Sequence, residues 1–228
     1  MAASAFAVES ANVVGYQTKA MRTGYNFVAP DFTTIGVDTI DVQDIQLNAN
    51  AGTGEENIQI LSASGGTTAM YNWATAADLE AETGAWVDDE ATLVEATLVQ
   101  GDGFLLAVVN PNVEVTFAGE VAPDTVTVNL RTGYNFTGNP FPAAIDVQAI
   151  QLNANGGTGE ENIQILSASG GTTAMYNWAT AADLEAETGA WVNDEAELVE
   201  ASIAAGDGFL LAVVNSGVVV TIPSGITL

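Results

Sequence analysis

The chain has 228 residues, of which 48% are hydrophobic and only 14% charged, a composition typical of a folded protein. Its 29 acidic side chains face three basic ones, Lys19, Arg22 and Arg131, so the formal net charge is -26. This field argues against nucleic acid and anionic membrane surfaces as partners, because both bind proteins through Lys and Arg. No cysteine or histidine is present, which excludes disulfides and the catalytic triads that need either residue.

A short apolar segment opens the chain. Residues 1–7 read MAASAFA and end in Ala5-Phe6-Ala7, the small-x-small pattern that signal peptidases cut. The segment is shorter than a complete signal peptide and no basic residue precedes it, so it is either a remnant or a coincidence. We interpret it as a remnant and expect a secreted protein, extracellular or at the cell surface. Membrane insertion is not expected, because the longest apolar run, Phe104–Val109, is too short to span a bilayer.

The sequence contains one segment twice. Residues 52–87 return letter for letter at residues 157–192, and only 7 of 66 positions differ between Ile45–Asn110 and Ile150–Asn215. We therefore divide the chain into a first β-repeat with an N-terminal strand, residues 8–123, and a second β-repeat, residues 124–228. Repeated units usually bury their open faces against copies of themselves, which favours scaffolds over a single active-site cleft.

Apolar and polar residues alternate along several segments, the pattern of half-buried β-strands. Ile45–Asn48 and Val113–Phe117 alternate in the first unit, and Val126–Leu130 alternates at the start of the second. Gly103–Val109 and its copy Gly208–Val214 are continuous apolar runs instead, which predicts central strands with both faces covered.

A hairpin is predicted in each unit. In the first, Ile58–Ala63 and Thr67–Trp73 flank Ser64-Gly65-Gly66, where glycine accommodates the positive φ angles of a tight turn. One short helix is allowed further on, at Thr75–Thr83, because a threonine can cap its start and a glycine follows its end.

The sequence at the boundary between the two units predicts a strand. Asp124–Gly133 occupies the place that Asn12–Gly24 holds before the first unit, and both precede the same Tyr-Asn-Phe sequence. One connecting strand is therefore expected to end the first unit and begin the second. The predicted fold is all-β, with two tandem sandwich-like or barrel-like β-domains sharing a connecting strand and at most one short helix per domain.

The second unit carries two short motifs, GYNFTGNPF at Gly133–Phe141 and GDGF at Gly206–Phe209. In order and spacing they resemble uncharacterised secreted bacterial β-domain proteins with a G-[WY]-N-x-x-x-N-P-[FY] start and a G-x-G-[FY] strand near the end. The first unit departs from this pattern at Val28–Phe32, which reads VAPDF. The resemblance implies an all-β fold and export, and no particular chemistry.

The chain contains few of the residue types that usually act in catalysis. Without His or Cys, an enzyme would depend on a pair of carboxylates, as glycoside hydrolases do. Asp88-Asp89-Glu90 contains such a pair, but its copy reads Asn193-Asp194-Glu195, and adjacent acids in a polar loop are usually just solvated. We therefore expect no enzymatic activity and no cofactor other than calcium.

Calcium binding is the stronger chemical hypothesis, because acidic loops rich in glycine supply the oxygen ligands that this ion prefers. The candidate ligands repeat in both units and are Glu55, Glu56, Asp102, Glu160, Glu161 and Asp207. They match neither the EF-hand spacing nor the calcium-binding nonapeptide repeat. The alternative is structural, with a charged turn and a glycine hairpin that leads into a buried strand.

Four aromatic residues are candidates for glycan binding. Tyr71 and Trp73 stand two positions apart, so they share one face of a strand and can stack on a sugar ring. Tyr176 and Trp178 repeat the pair. The alternative is that these large side chains fill the core of each unit.

The preferred function is structural. Open sheet edges are templates for the strand of another chain, and Val8–Met21, with Val13, Val14 and Tyr16, is the candidate donor strand. We expect an exported subunit that assembles with itself into an extracellular filament or surface layer. The alternatives are a strand that pairs within its own domain, and a calcium- or glycan-binding adhesion module.

The charge excess generates the first testable prediction. Twenty-nine carboxylates repel one another in the compact state, and salt screens this repulsion. Raising NaCl from about 0.01 M to about 0.5 M should therefore raise the midpoint of thermal unfolding, measured by circular dichroism. An unfolding midpoint that is independent of ionic strength would contradict the prediction.

Overall fold

The computed structural model describes residues 14–51, 53–62, 65–72, 84–121, 125–153, 158–167, 170–177 and 189–224. Over these residues the protein is all-β, as the sequence predicted, and the only helices are three single 3₁₀ turns. They span Val42–Asp44, Ala49–Ala51 and Val147–Ala149. The possible helix at Thr75–Thr83 and the N-terminal residues 1–7 lie outside the described residues.

Within the described part of the chain each unit has ten strands, and equivalent strands differ by ten in their number. The strands of the first unit are β1 (Val14–Ala20), β2 (Gly24–Val28), β3 (Thr39–Asp41), β4 (Gln46–Leu47), β5 (Thr53–Ser62), β6 (Gly65–Asn72), β7 (Ala85–Val87), β8 (Thr97–Val99), β9 (Phe104–Val108) and β10 (Glu114–Glu120). Those of the second are β11 (Val126–Asn129), β12 (Gly133–Gly138), β13 (Ile145–Asp146), β14 (Gln151–Leu152), β15 (Thr158–Ser167), β16 (Gly170–Asn177), β17 (Ala190–Val192), β18 (Ser202–Ile203), β19 (Gly208–Val213) and β20 (Val219–Ile222).

The strands of each unit form a five-stranded, a three-stranded and a two-stranded antiparallel sheet. In the first unit the orders are β2-β9-β5-β6-β7, β1-β10-β4 and β3-β8. The second unit repeats them as β12-β19-β15-β16-β17, β11-β20-β14 and β13-β18. The continuous apolar runs became β9 and β19, which lie inside their five-stranded sheets, so their predicted central position is confirmed.

The predicted hairpins are present as β5 with β6 and β15 with β16. Ile58 stands opposite Ala69 and Ser62 opposite Gly65, so the strands pair in one register up to the loop. The second hairpin has the equivalent pairing. Gly65 already belongs to β6, and the strand therefore begins two residues before its predicted start.

The core of each unit lies between its five-stranded and three-stranded sheets. In the first unit Phe104 of β9 meets Phe117 of β10, with ring centroids 6.3 Å apart. Trp86 of β7 is fully buried, and its indole N–H donates a hydrogen bond to the Ile45 carbonyl at 2.8 Å. Trp191 repeats this bond in the second unit. Each large ring is thus held by packing and by a satisfied polar group.

A glutamine in a 3₁₀ turn connects that turn to the tryptophan strand. Gln43 Nε2 donates to the carbonyls of Trp86 and Val94 at 2.8 and 2.9 Å, and its Oε1 accepts from the Trp86 N–H at 3.0 Å. Gln148 makes the same three bonds in the second unit. Because the side-chain amide satisfies three backbone groups at once, the turn and β7 stay in one relative position.

The connecting segment between the units differs from its prediction. β11 forms its ladder with β20 of the second unit, just as β1 pairs with β10 of the first. No ladder shared by the two units therefore runs through β11 in the described residues. It contacts the first unit through side chains instead, because Val126 and Val128 lie directly against Gly101.

Candidate functional site

The two units meet through equivalent backbone segments. Val28 at the end of β2 forms an antiparallel bridge with Asp207, and Thr137 in β12 forms one with Asp102. Val28 and Thr137 follow the same hexapeptide in the two units, and the two aspartates are repeats of each other. The contact is therefore reciprocal, as between subunits around a two-fold axis. We call it the seam.

Two glycines allow the backbones at the seam to approach closely. A Cβ on Gly103 would lie 2.4 Å from the carbonyl oxygen of Thr137, and a Cβ on Gly208 would lie 2.7 Å from that of Val28. Any side chain at either position would displace the opposing backbone. The repeated Gly-Asp-Gly sequence thus has a structural reason that needs no metal.

The two halves of the seam differ in the side chains that edge strands place there. Val128 of β11 packs against Gly101, whereas Lys19 of β1 occupies the equivalent place against Gly206. Lys19 and Val128 are equivalent because they stand opposite corresponding valines in the ladders of β10 and β20. One half of the seam is therefore apolar and the other charged.

In the charged half, the Lys19 ammonium forms an ion pair with Asp207 and donates to the Ala205 carbonyl at 3.1 Å. Both charged side chains are about one-fifth exposed, at 21% and 19%. A cleft of 280 Å³ opens beside them and is also lined by Arg22. Two of the three basic residues of this acidic chain thus lie at one inter-unit cleft.

The apolar half holds a carboxylate that forms no ion pair within the described part of the chain. Asp102 is buried, and its Oδ2 accepts a hydrogen bond from the Val99 N–H at 3.1 Å. Burial raises the pKa of Asp102 to about 6 and outweighs the opposing effect of that bond. Burial likewise raises the pKa of Asp31 to about 6, although the charge of Lys19 opposes the shift.

The predicted calcium ligands whose side chains the structure describes are not brought together. Asp102 precedes β9, while the Glu56 carboxylate bonds to Asn110 beyond the other end of that strand. The eight residue-to-residue steps from Asp102 to Asn110 span roughly 26 Å of extended chain, far more than one ion can bridge. Asp207 is engaged with Lys19. No group of three or more acidic side chains that could hold a metal ion occurs among the described residues.

Glu56 and Glu161 have a structural role that repeats. Glu56 Oε1 accepts from the backbone N–H of Asn110 at 3.0 Å and from its side-chain amide at 2.9 Å. Glu161 does the same with Asn215. Both glutamates are fully buried and fix the turn after β9 or β19. The side chains of Glu55 and Glu160 lie outside the described part.

The aromatic residues proposed for glycan binding occupy two different situations. Tyr71 and Tyr176 are fully buried, and the Tyr71 hydroxyl donates to Gln46 Oε1 at 2.6 Å and accepts from the Leu47 N–H at 3.1 Å. Their rings therefore have the core role that the sequence offered as the alternative. Trp73 and Trp178 lie outside the described residues.

A different aromatic surface lies between the two five-stranded sheets. It is a groove of 310 Å³ with the rings of Phe27 and Phe136 in contact, centroids 5.5 Å apart. We call it the aromatic groove, and its lining consists of Tyr25, Phe27, Gln59, Leu105, Tyr134, Phe136 and Leu210. The signal for it in the sequence is the hexapeptide Arg-Thr-Gly-Tyr-Asn-Phe, which occurs once in each unit.

The predicted assembly strand is β1. It pairs with β10 of its own unit over seven residues, with Val14 opposite Glu120 and Tyr16 opposite Ala118. Val14 and Tyr16 are 59% and 77% exposed on the outer face of the sheet. Val13 lies outside the described residues. β1 therefore pairs within its own domain, which was the alternative prediction, and its outer face is exposed to solvent.

Comparison with known proteins gives no family for this chain: no family model, no curated protein and no solved structure matches it. Within the described residues, no helix reaches the length and apolarity needed to cross a membrane.

The two seam aspartates generate a matched prediction. Asp102→Asn keeps an acceptor for the Val99 N–H but removes a buried charge, so it should raise the free energy of unfolding at pH 7 by about 1 to 3 kcal/mol. Asp207→Asn leaves Lys19 without its anion and should lower it by about 1 to 3 kcal/mol. Urea unfolding followed by tryptophan fluorescence measures both. If the free energy of unfolding changed in the same direction in both variants, the division of the seam into an apolar and a charged half would be contradicted.

The pH dependence of Asp102→Asn has a defined sign. The folded-state pKa of Asp102 is raised from 3.8 to about 6, so the folded protein binds a proton more tightly than the unfolded chain does. Its contribution to stability is complete below the unfolded pKa and is lost as pH rises through about 6. The advantage of Asp102→Asn over the parent should therefore grow between about pH 4 and pH 6, in the same urea series.

Proposed function

We propose that this protein is an exported structural subunit that assembles with itself, head to tail, into an extracellular filament or surface layer. In this proposal two packed, sandwich-like β-domains present one open strand edge each. The edge of β1 in one copy pairs with the edge of β11 in the next. The observation that carries the proposal is the absence of charge on the exposed faces of both strands in so acidic a chain.

The geometry offers two edges. β1 ends the three-stranded sheet of the first unit and β11 ends that of the second, with no strand on the outer side of either in the described part. An unpaired edge presents a row of N–H and C=O groups to which another strand can bond. Because the edges belong to different units, a β1-to-β11 contact leaves one free edge at each end, so it propagates.

The side chains on these edges do not discourage pairing. Proteins that must stay monomeric usually place charges, above all lysine, on exposed edge strands. The outward residues of β1 are Val14, Tyr16, Thr18 and Ala20, and those at β11 are Thr125, Thr127 and Asn129. None is charged, although 29 acidic residues occur in the chain.

Apolar surface adds to the β1 edge. Val14 and Tyr16 are joined on the exterior of the first unit by Ile35, which is 63% exposed, and by Val37, which is 50% exposed. A cleft of 480 Å³ lined by Ile35 and Ala118 adjoins this surface. Ala118 stands opposite Tyr16, so the cleft and the strand form one continuous region that supports docking of a neighbouring chain.

The seam itself cannot extend an assembly. Its two halves are equivalent segments already paired within one chain, and a reciprocal contact of that kind closes on itself. Strand donation by β1 is also disfavoured, because seven residues of its ladder with β10 would have to separate first. Docking at the intact edges meets neither obstacle.

Charge substitutions test the proposal. Tyr16→Glu places a carboxylate on the β1 edge and Thr127→Glu places one on the β11 edge, so each variant should lose one of its two contacts. Each alone should remain monomeric where the parent forms particles, as observed by sedimentation velocity and negative-stain images. An equimolar mixture should form dimers and stop, since one β1 edge and one β11 edge remain intact.

Tyr134→Glu is the control, because it adds the same charge at an exposed tyrosine of β12, which belongs to the five-stranded sheet and to neither edge. It should assemble like the parent. The proposal is wrong if the parent stays monomeric at high concentration with salt present. It is also wrong if Tyr16→Glu forms particles of the same size and in the same amount as the parent. Dimers of Thr127→Glu alone would instead indicate that β1 pairs with β1.

A further inference from the structure

The lining of the aromatic groove contains no residue of the assembly edges and neither seam aspartate. Its lining comes from equivalent positions of both units: Tyr25 corresponds to Tyr134, Phe27 to Phe136 and Leu105 to Leu210. At 310 Å³ it falls within the usual range of small-ligand sites, about 300 to 1,000 Å³. It is mainly apolar with a few polar groups, which is the composition such sites share.

The electrostatics of the groove select a neutral ligand. None of its seven lining residues is charged, so it offers no partner to a phosphate, a carboxylate or an ammonium group. The surrounding chain carries a net charge of -26, which repels anions from the whole surface. A cation is attracted by that field but finds no carboxylate in the lining to bind it.

The chemistry of the lining fits a sugar ring. Phe27 and Phe136 form a buried floor, at 7% and 5% exposure, while Tyr25 and Tyr134 stand 63% and 60% exposed at its rim. Aromatic faces pack against the C–H face of a pyranose, and phenol groups combine an apolar ring with a donor and acceptor. Gln59 adds an exposed amide with both functions. We propose that the aromatic groove binds a neutral oligosaccharide.

A second copy of this chain fits the groove less well. A standard protein–protein interface uses about 20 to 30 residues on each side. Seven residues line the groove, far fewer than such an interface uses. A narrow ligand such as a sugar chain matches that size.

Three neutral hexasaccharides serve as probes: cellohexaose, xylohexaose and chitohexaose, with trigalacturonic acid as the anionic comparison. Isothermal titration of the full chain should show binding of at least one neutral probe and none of the anionic one. Tyr25→Ala with Tyr134→Ala should weaken that binding roughly tenfold or more, because each exposed ring supplies a stacking face. Thermal unfolding should barely change, since both side chains lie mostly in solvent.

Tyr16→Ala is the matched control, an exposed tyrosine outside the groove, and should bind the probe like the parent. The inference is overturned if no neutral probe binds at up to about 10 mM, or if the double variant binds as well as the parent. Loss of self-association in the double variant, without any sugar binding, would assign the groove to a second copy. Assembly at the β1 edge is read from Tyr16→Glu, so either proposal can fail alone.

Discussion

The close backbone contact at the seam is the constraint on which the arrangement of this protein depends. Gly103 and Gly208 each face a carbonyl oxygen of the other unit at a distance that leaves no room for a Cβ. The contact places β2 beside the second unit and β12 beside the first, and so sets the two five-stranded sheets against each other. The aromatic groove follows from that placement.

The seam is symmetric in its backbone and asymmetric in its side chains, and the asymmetry comes from the edge strands. Where Val128 covers one half, Lys19 neutralises Asp207 in the other. A partly buried ion pair adds little net stability over an apolar contact. The side chains therefore make the two halves of the seam different although the two repeats are nearly identical.

The sequence predicted those features that depend on local pattern. Alternation identified β10 and β11, and the apolar runs identified β9 and β19 as interior strands. The seam could not be predicted from the sequence, because it joins residues as distant in the chain as Val28 and Asp207. In addition, no local pattern distinguishes a glycine needed for close backbone approach from a glycine in a turn. Likewise, Tyr71 and Tyr25 are both strand tyrosines, and only the packing of the sheets buries the first and exposes the second.

The large net charge of this chain determines which of its surfaces another copy can approach. The net charge of -26 repels other copies at a distance, so the proposed association requires surfaces where the local repulsion is weakest. The outward residues of β1 and β11 and the lining of the aromatic groove are such places. Salt shortens the reach of the repulsion to about 10 Å at 0.1 M. In the proposed assembly, salt therefore favours the approach of the edges without altering their short-range hydrogen bonds.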